Sequence, residues 1–298
     1  MVDASDRIRK RVAQTLAGIK QNNVYSPYSG QTYTPNFTPG ETAIVKQSPY
    51  GCTNACSDES FNGALFFSQT PAAYVQVTNS SELTIGTNSF TIEWWQYMNS
   101  PPQTAVTGST TAQPYIFGFG PNNPQAPSLA AYWNLTGPSY TAYSLTLAYA
   151  GTTRTYSSVA STSSLLNRWV HVAVVGVPGA TPIVYINGVS RTTSAQAYNI
   201  TNSLTTYPFF VIGNSWFPTG PNQFPGFITD FRFTIGTAVY TAAFTPPKQP
   251  LVPLSTTYLL LNAKSDAPLN DSSQGAQTVT SGTSTVGWDN VSPYYALN

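Results

Sequence analysis

Charge is the first shortage. Asp, Glu, Lys and Arg make up only 8% of the 298 residues, against roughly 25% in an average soluble domain. A surface so poor in charge must be wetted by Ser, Thr, Asn and Gln. It suits extracellular adhesins and subunits held in crowded, permanent assemblies, since obligate interfaces deplete charge at their cores. The net charge of +1 is unevenly spread: within residues 1–24 five bases (Arg7, Arg9, Lys10, Arg11 and Lys20) face two acids, Asp3 and Asp6. Beyond residue 60 bases and acids balance at six each. No basic face follows a phosphate backbone, which argues against a nucleic-acid partner.

Cysteine, histidine and long apolar runs are also scarce. Cys52 and Cys56 form a lone C-x3-C in a Pro/Gly/Ser-rich stretch, and the single histidine, His171, is far along the chain. A metal centre would need more ligands; a small local disulfide or two free thiols fits the pair, and no disulfide scaffold is built from one bridge. No stretch approaches the roughly 20 apolar residues of a membrane span. Near the N-terminus Ile8, Val12, Leu16 and Ile19 are spaced apart, unlike the continuous apolar core of a signal peptide. Synthesis in a cytosol, with the destination reached by assembly or lysis, is the expectation.

Catalytic groupings are missing too. A glycosidase needs two carboxylates flanking its bond, and the strand around Glu93 offers one acid followed by Trp94 and Trp95. A nucleophile needs a histidine and an orienting acid, yet His171 sits inside an apolar strand, VHVAVV. No phosphate-cradling glycine loop occurs. No catalytic residue is expected, and the chain reads as a non-enzyme.

What the chain has is organised in three parts. Residues 4–22 form the one convincing helix: Ser5 or Asp3 can cap it, and Ile8, Val12, Leu16 and Ile19 make a narrow apolar stripe with bases on the other faces. A helix this short is marginal alone in water, so residues 1–24 read as a tether whose stripe seeks a partner. Residues 25–59 are rich in Tyr, Pro, Thr and Gly and read as an extended arm. From about residue 60 the hydrophobic period becomes two. Phe90, Ile92 and Trp94 alternate with Thr91 and Glu93, and IVYINGVS at 183–190 turns at Asn187-Gly188, a strong hairpin signal. Many short strands broken by Gly, Pro and Asn predict an all-β, antiparallel two-sheet sandwich over residues 60–298.

Several of these segments resemble the laminin G-like domains of the concanavalin A-like jelly rolls. NGALFFSQTPAAYVQV followed by NSFTIEWWQYM is similar to their opening strands, and NRWVHVAVV followed by PIVYINGVS to their central hairpin. FPGFITDFRFTIGTAVYTAAFTPPKQPL resembles the closing strand and its tail. YLLLNAKSDAPLNDSSQGAQTVTSGTSTVGWDNVSPY resembles a strand pair that accompanies such domains in structural proteins of tailed phages and large DNA viruses. The N-terminal Asp-Ala-Ser-Asp-x-Ile-Arg-x-Arg looks like virion proteins of large double-stranded DNA viruses.

The resemblance implies a virion structural protein, a minor capsid, cement or surface-decoration subunit, whose partners are other capsid or virion proteins in a large assembly. It gives His171 a structural strand role; Glu93, with no second acid nearby, reads as a structural or surface strand residue, and Asp230, which matches the family's closing-strand acid, as an ion-pair partner of nearby Arg232 or a strand-end hydrogen-bond acceptor. Calcium would be the usual metal of the fold, with Asp266, Asn270, Asp271 and Asp289 as loop oxygens, but without an acidic cluster no cofactor is expected. The alternative is a lectin-like module that binds host-surface glycans from a fibre or spike. Two loops have the aromatic and amide composition for that or for an interface: Phe117 to Pro127, with Tyr132 and Trp133 just beyond, and Gly213 to Phe224, with Trp216, Phe217 and Asn222.

Overall fold

The computed structural model describes residues 62–68, 73–78, 80–99, 113–120, 129–136, 142–149, 152–161, 165–191, 209–215, 222–282 and 286–294, with two short strands at 24–25 and 32–33. The chain divides into two units, Met1–Glu59 and Ser60–Asn298. In the first, β1 (Val24–Tyr25) pairs antiparallel with β2 (Thr32–Tyr33), so a small ladder stands where the sequence suggested only extended chain. The expected helix with Ile8, Val12, Leu16 and Ile19 lies outside the described residues, as do Cys52 and Cys56.

The second unit is a sandwich of two antiparallel sheets, the architecture of a jelly roll. One sheet runs β12 (Val189–Ser190), β11 (Ile183–Ile186), β10 (Trp169–Gly176), β5 (Phe90–Met98), β14 (Gly226–Ile235), β3 (Ala64–Phe67), β17 (Gly287–Asp289), and β15 (Thr257–Leu261) also pairs with β14. The other runs β16 (Thr278–Ser281), β4 (Val75–Thr78), β13 (Phe209–Ile212), β6 (Tyr115–Gly120), β7 (Leu129–Thr136), β8 (Ala142–Tyr149), β9 (Thr152–Ser161).

Alternation explains the core. Phe90, Ile92, Trp94 and Met98 of β5 join Phe231 and Phe233 of β14 and, from the facing sheet, Phe117, Trp133 and Phe210 in one hydrophobic cluster. The Trp94 ring meets Phe117 edge-on at 5.9 Å and stacks on Phe231 at 6.2 Å. Each such aromatic pair adds about 0.5–1.5 kcal/mol beyond the area it buries. The cluster holds a polar tie between the sheets: Gln96 Oε1 accepts from the indoles of Trp94 (2.9 Å) and Trp133 (3.1 Å).

β5 is buried on its other face as well, because residues 236–256 cross the outside of the first sheet as a strap. Ala238, Tyr240 and Phe244 of the strap pack on Ala173, Val175 and Tyr185, and the Tyr240 and Phe244 rings stack at 3.6 Å. Its seat is the hairpin turn between β11 and β12. Asn187 and Gly188 both have positive φ (49° and 77°), as a two-residue turn matched to sheet twist requires. Gly188 O accepts from Phe244 N at 3.0 Å, and Asn187 Oδ1 accepts from His171 N at 2.9 Å.

Candidate functional site

Three neighbouring strands bring the scarce charges together beneath the strap. Arg232 on β14 lies opposite Glu93 on β5, and His171 on β10 opposes Trp95, two residues along from Glu93. Glu93 Oε1 accepts from Arg232 Nε (2.9 Å) and Nη2 (2.5 Å). Its Oε2 accepts from Tyr240 Oη (2.7 Å) and stands 3.2 Å from His171 Nε2; an ionised carboxylate only accepts, so the ring donates there. Arg232 Nη1 donates to the strap carbonyl of Val252 at 2.9 Å. Burial pushes the Glu93 carboxyl up, but the His171 hydrogen bond and the Arg232 charge outweigh it and hold the group below its ordinary value.

This constellation of acid, imidazole, guanidinium and phenol has the residue types of an active site and the geometry of a clamp. Glu93 and His171 are 0% exposed and Arg232 5%. Both carboxylate oxygens are occupied by donors, and one donor comes from the strap itself. No substrate bond can reach Glu93 while the strap is seated. The same contacts pin the strap to the sheet.

A second carboxylate works alike. Asp230 does not pair with Arg232, as one reading of the sequence had it, because Arg232 turns to Glu93. Asp230 Oδ2 accepts from Leu251 N (3.0 Å) and from Tyr294 Oη, and its Oδ1 accepts from Asn262 Nδ2 (2.7 Å). It thereby gathers the strap's end, the end of β15 and the C-terminal turn. Asp271, weighed above as a loop oxygen for calcium, is saturated in its own loop. Its two oxygens accept from Leu260 N, Ser273 N, Ser273 Oγ and Gln277 N at 2.7–2.8 Å.

Beside the Asp271 loop a polar groove of about 420 Å³ opens to solvent, lined by Glu82, Ser255, Thr257, Tyr258, Gln274 and Gly275. Glu82 comes from a short turn of 3-10 helix, Ser80–Leu83. Its Oε2 accepts from Gln277 Nε2 at 2.8 Å. The Tyr258 ring is half-buried and packs against the main core. A Cβ added to Gly275 would lie 2.9 Å from Gln277 Nε2 and 3.0 Å from the Tyr258 carbonyl, so the loop packs against β15 here with no room for a side chain.

The residues singled out in the sequence fare unevenly. Trp133 is not at a loop surface: it is 0% exposed on β7 with its indole on Gln96, so it can neither stack on a sugar nor meet a partner. Phe117, where the first loop was to begin, is core on β6. In the second loop Asn214 and Gln223 are buried, and half-buried Asn222 accepts from Tyr115 N at 3.0 Å. Trp216 and Phe217 lie outside the described residues. Glu82, Tyr258, Gln274 and Gly275 were missed; composition gave no sign of them, since Glu82 and Gln277 are 195 residues apart.

Comparison with known structures finds 90 matching chains. A candidate carbohydrate-binding protein from Bacteroides ovatus aligns at 15% identity with a TM-score of 0.40, over 77% of this chain and 62% of that one. The extracellular region of zebrafish Gpr126/Adgrg6 aligns at 12% identity and TM-score 0.44, over 76% of this chain and 27% of that one. The LG4-5 domains of mouse laminin alpha1 align at 11% identity and TM-score 0.37, over 62% and 46%. The chain thus spans less than two thirds of each of these proteins. No curated protein sequence matches it. The family profile of the laminin G type, described as the concanavalin A-like lectin/glucanases superfamily, matches residues 69–237, more than half of the chain and most of both sheets, and the protein belongs to that superfamily.

Proposed function

We propose that the chain is a non-enzymatic structural subunit of a virion, a minor capsid, cement or decoration protein anchored through residues 1–59, with the sandwich as its displayed body. The observation that carries the non-enzymatic part is the state of Glu93: the acid on the family's central strand is sealed under the strap and spent on Arg232, Tyr240 and His171. Scarcity of charge supports permanent contacts with other virion proteins, and the resemblance of the N-terminus and C-terminal strand pair to virion proteins supports the location. The tether is tested by deleting residues 1–24. The truncated protein is expected to keep its sandwich, since that unit is internally connected, and to be lost from purified particles; normal incorporation contradicts the proposal.

A second reading, a lectin-like module for glycans of a host surface, is favoured by one observation: the groove at Glu82, Ser255 and Gln274 is open and lined by hydroxyl, amide and carboxylate groups.

A further inference from the structure

On the outer face of the first sheet four aromatic side chains stand in register across four strands. Trp169 on β10 lies opposite Tyr97 on β5, Tyr97 opposite Phe227 on β14, and Phe227 opposite Phe66 on β3. Their ring centres follow one another at 5.7, 6.1 and 5.1 Å. Each ring is half-buried, whereas the adjoining Met98, Ile228 and Phe67 turn into the core. Farther along β14, Arg232 holds the strap segment Pro250-Leu251-Val252-Pro253 over the same face. Its Nη1 donates to the Val252 carbonyl, Leu251 N donates to Asp230 Oδ2, and the Leu251 side chain is buried. Proline fixes its own φ and keeps the residue before it extended. Val252, 67% exposed, and exposed Pro253 therefore project as a stiff apolar ridge. We propose that this face is a self-association surface, on which the Pro250–Pro253 ridge of one copy docks on the aromatic row of a second copy, and the reverse.

The two features fit each other chemically. Aromatic rows are the surfaces that receive Pro-rich segments, and a segment already held extended loses little freedom when it docks. Neither the row nor the ridge carries a charged side chain. Beyond residue 60 bases and acids balance at six each, so the body does not repel its own copy. They also fit geometrically. Along β14 the row and the ridge are about 15 Å apart at the usual rise per residue. Turning a second copy by half a revolution about an axis between them sets each ridge on the other's row, which is a closed, isologous contact. Area points to a pair of copies as well. At about 150–250 Å² per ring, four half-covered rings offer roughly 300–500 Å², too little for a folded partner. With the ridge, each side reaches roughly 600 Å², the lower bound for specific interfaces. The contact needs no other virion protein, so it stands or falls apart from the capsid reading.

The test is sedimentation velocity of the full chain over a concentration series, with two variants and their mixture. The native chain is expected to form dimers. Val252→Asp on the ridge and Phe227→Lys in the row should each raise the dimer dissociation constant by about tenfold or more, with unchanged circular dichroism. Should Phe227→Lys disturb the fold, Phe66→Lys takes its place at the end of the row. An equal mixture of the ridge and row variants should dimerise again. In the mixed pair one contact sets the introduced acid against the introduced base, and the other contact is native on both sides. A native chain that stays monomeric overturns the proposal. So does association that neither variant weakens, which would belong to another surface. Two weakened variants whose mixture fails to recover would show that ridge and row do not meet, and overturn it too.

Discussion

At the scale of the residue, Glu93 decides more than any other side chain, because a buried carboxylate is tolerable only while its donors stay. Glu93→Ala leaves the Arg232 guanidinium buried and unpaired and is expected to cost about 3–5 kcal/mol, the usual cost of breaking a buried pair from one side. Urea denaturation measures it; a loss below about 1 kcal/mol would mean that water already reaches the cluster. The pH dependence has a definite sign. The carboxyl is depressed in the folded state, so its stabilisation is fully present above the ordinary carboxylate range and is lost as pH falls through the lower, folded value. Glu93→Gln should flatten that acid limb. Asp230 acts in the opposite sense: burial pushes it up, against the Tyr294, Asn262 and Leu251 donors, so the Glu93 contribution is read from the difference between native and Glu93→Gln curves. Gln96, by contrast, binds the two sheets through neutral bonds to Trp94 and Trp133 and adds no such slope.

At the scale of the element, the strap and the β11–β12 turn stand or fall together. A Cβ at Gly188 would sit 1.7 Å from the Phe244 carbonyl, at a φ of +77°. Gly188→Ala should therefore cost about 1–3 kcal/mol in backbone strain alone and unseat the strap. Faster hydrogen exchange at Phe244 N, with the core strands still protected, is the expected outcome; unchanged exchange would show that the strap is held elsewhere. This turn was legible in the sequence because Asn-Gly chemistry is local. So were β5, β10, β11 and β14, whose apolar alternation is strong. β6 was hidden by Gly118 and Gly120 next to a Gly/Pro/Asn-rich run, and β9 by its Ser and Thr. Trp133 was misjudged for the same reason: its neighbours along the chain suggest a loop, while its partner Gln96 lies 37 residues away. The groove and the Glu93 cluster join still more distant residues, which no local pattern reports.

At the scale of the whole molecule, a nearly neutral sandwich has its strand acid locked under a strap, and the surplus of bases lies in the N-terminal unit. The superfamily's sandwich hosts many functions, so its use here rests on what residues 1–59 touch and on what the groove takes up. A density map of the assembled particle is the most direct test. Residues 1–57 should be found against neighbouring subunits, with Ile8, Val12, Leu16 and Ile19 covered by them. A map in which the chain is missing from the particle, or in which that apolar stripe touches no neighbour, would contradict the virion role.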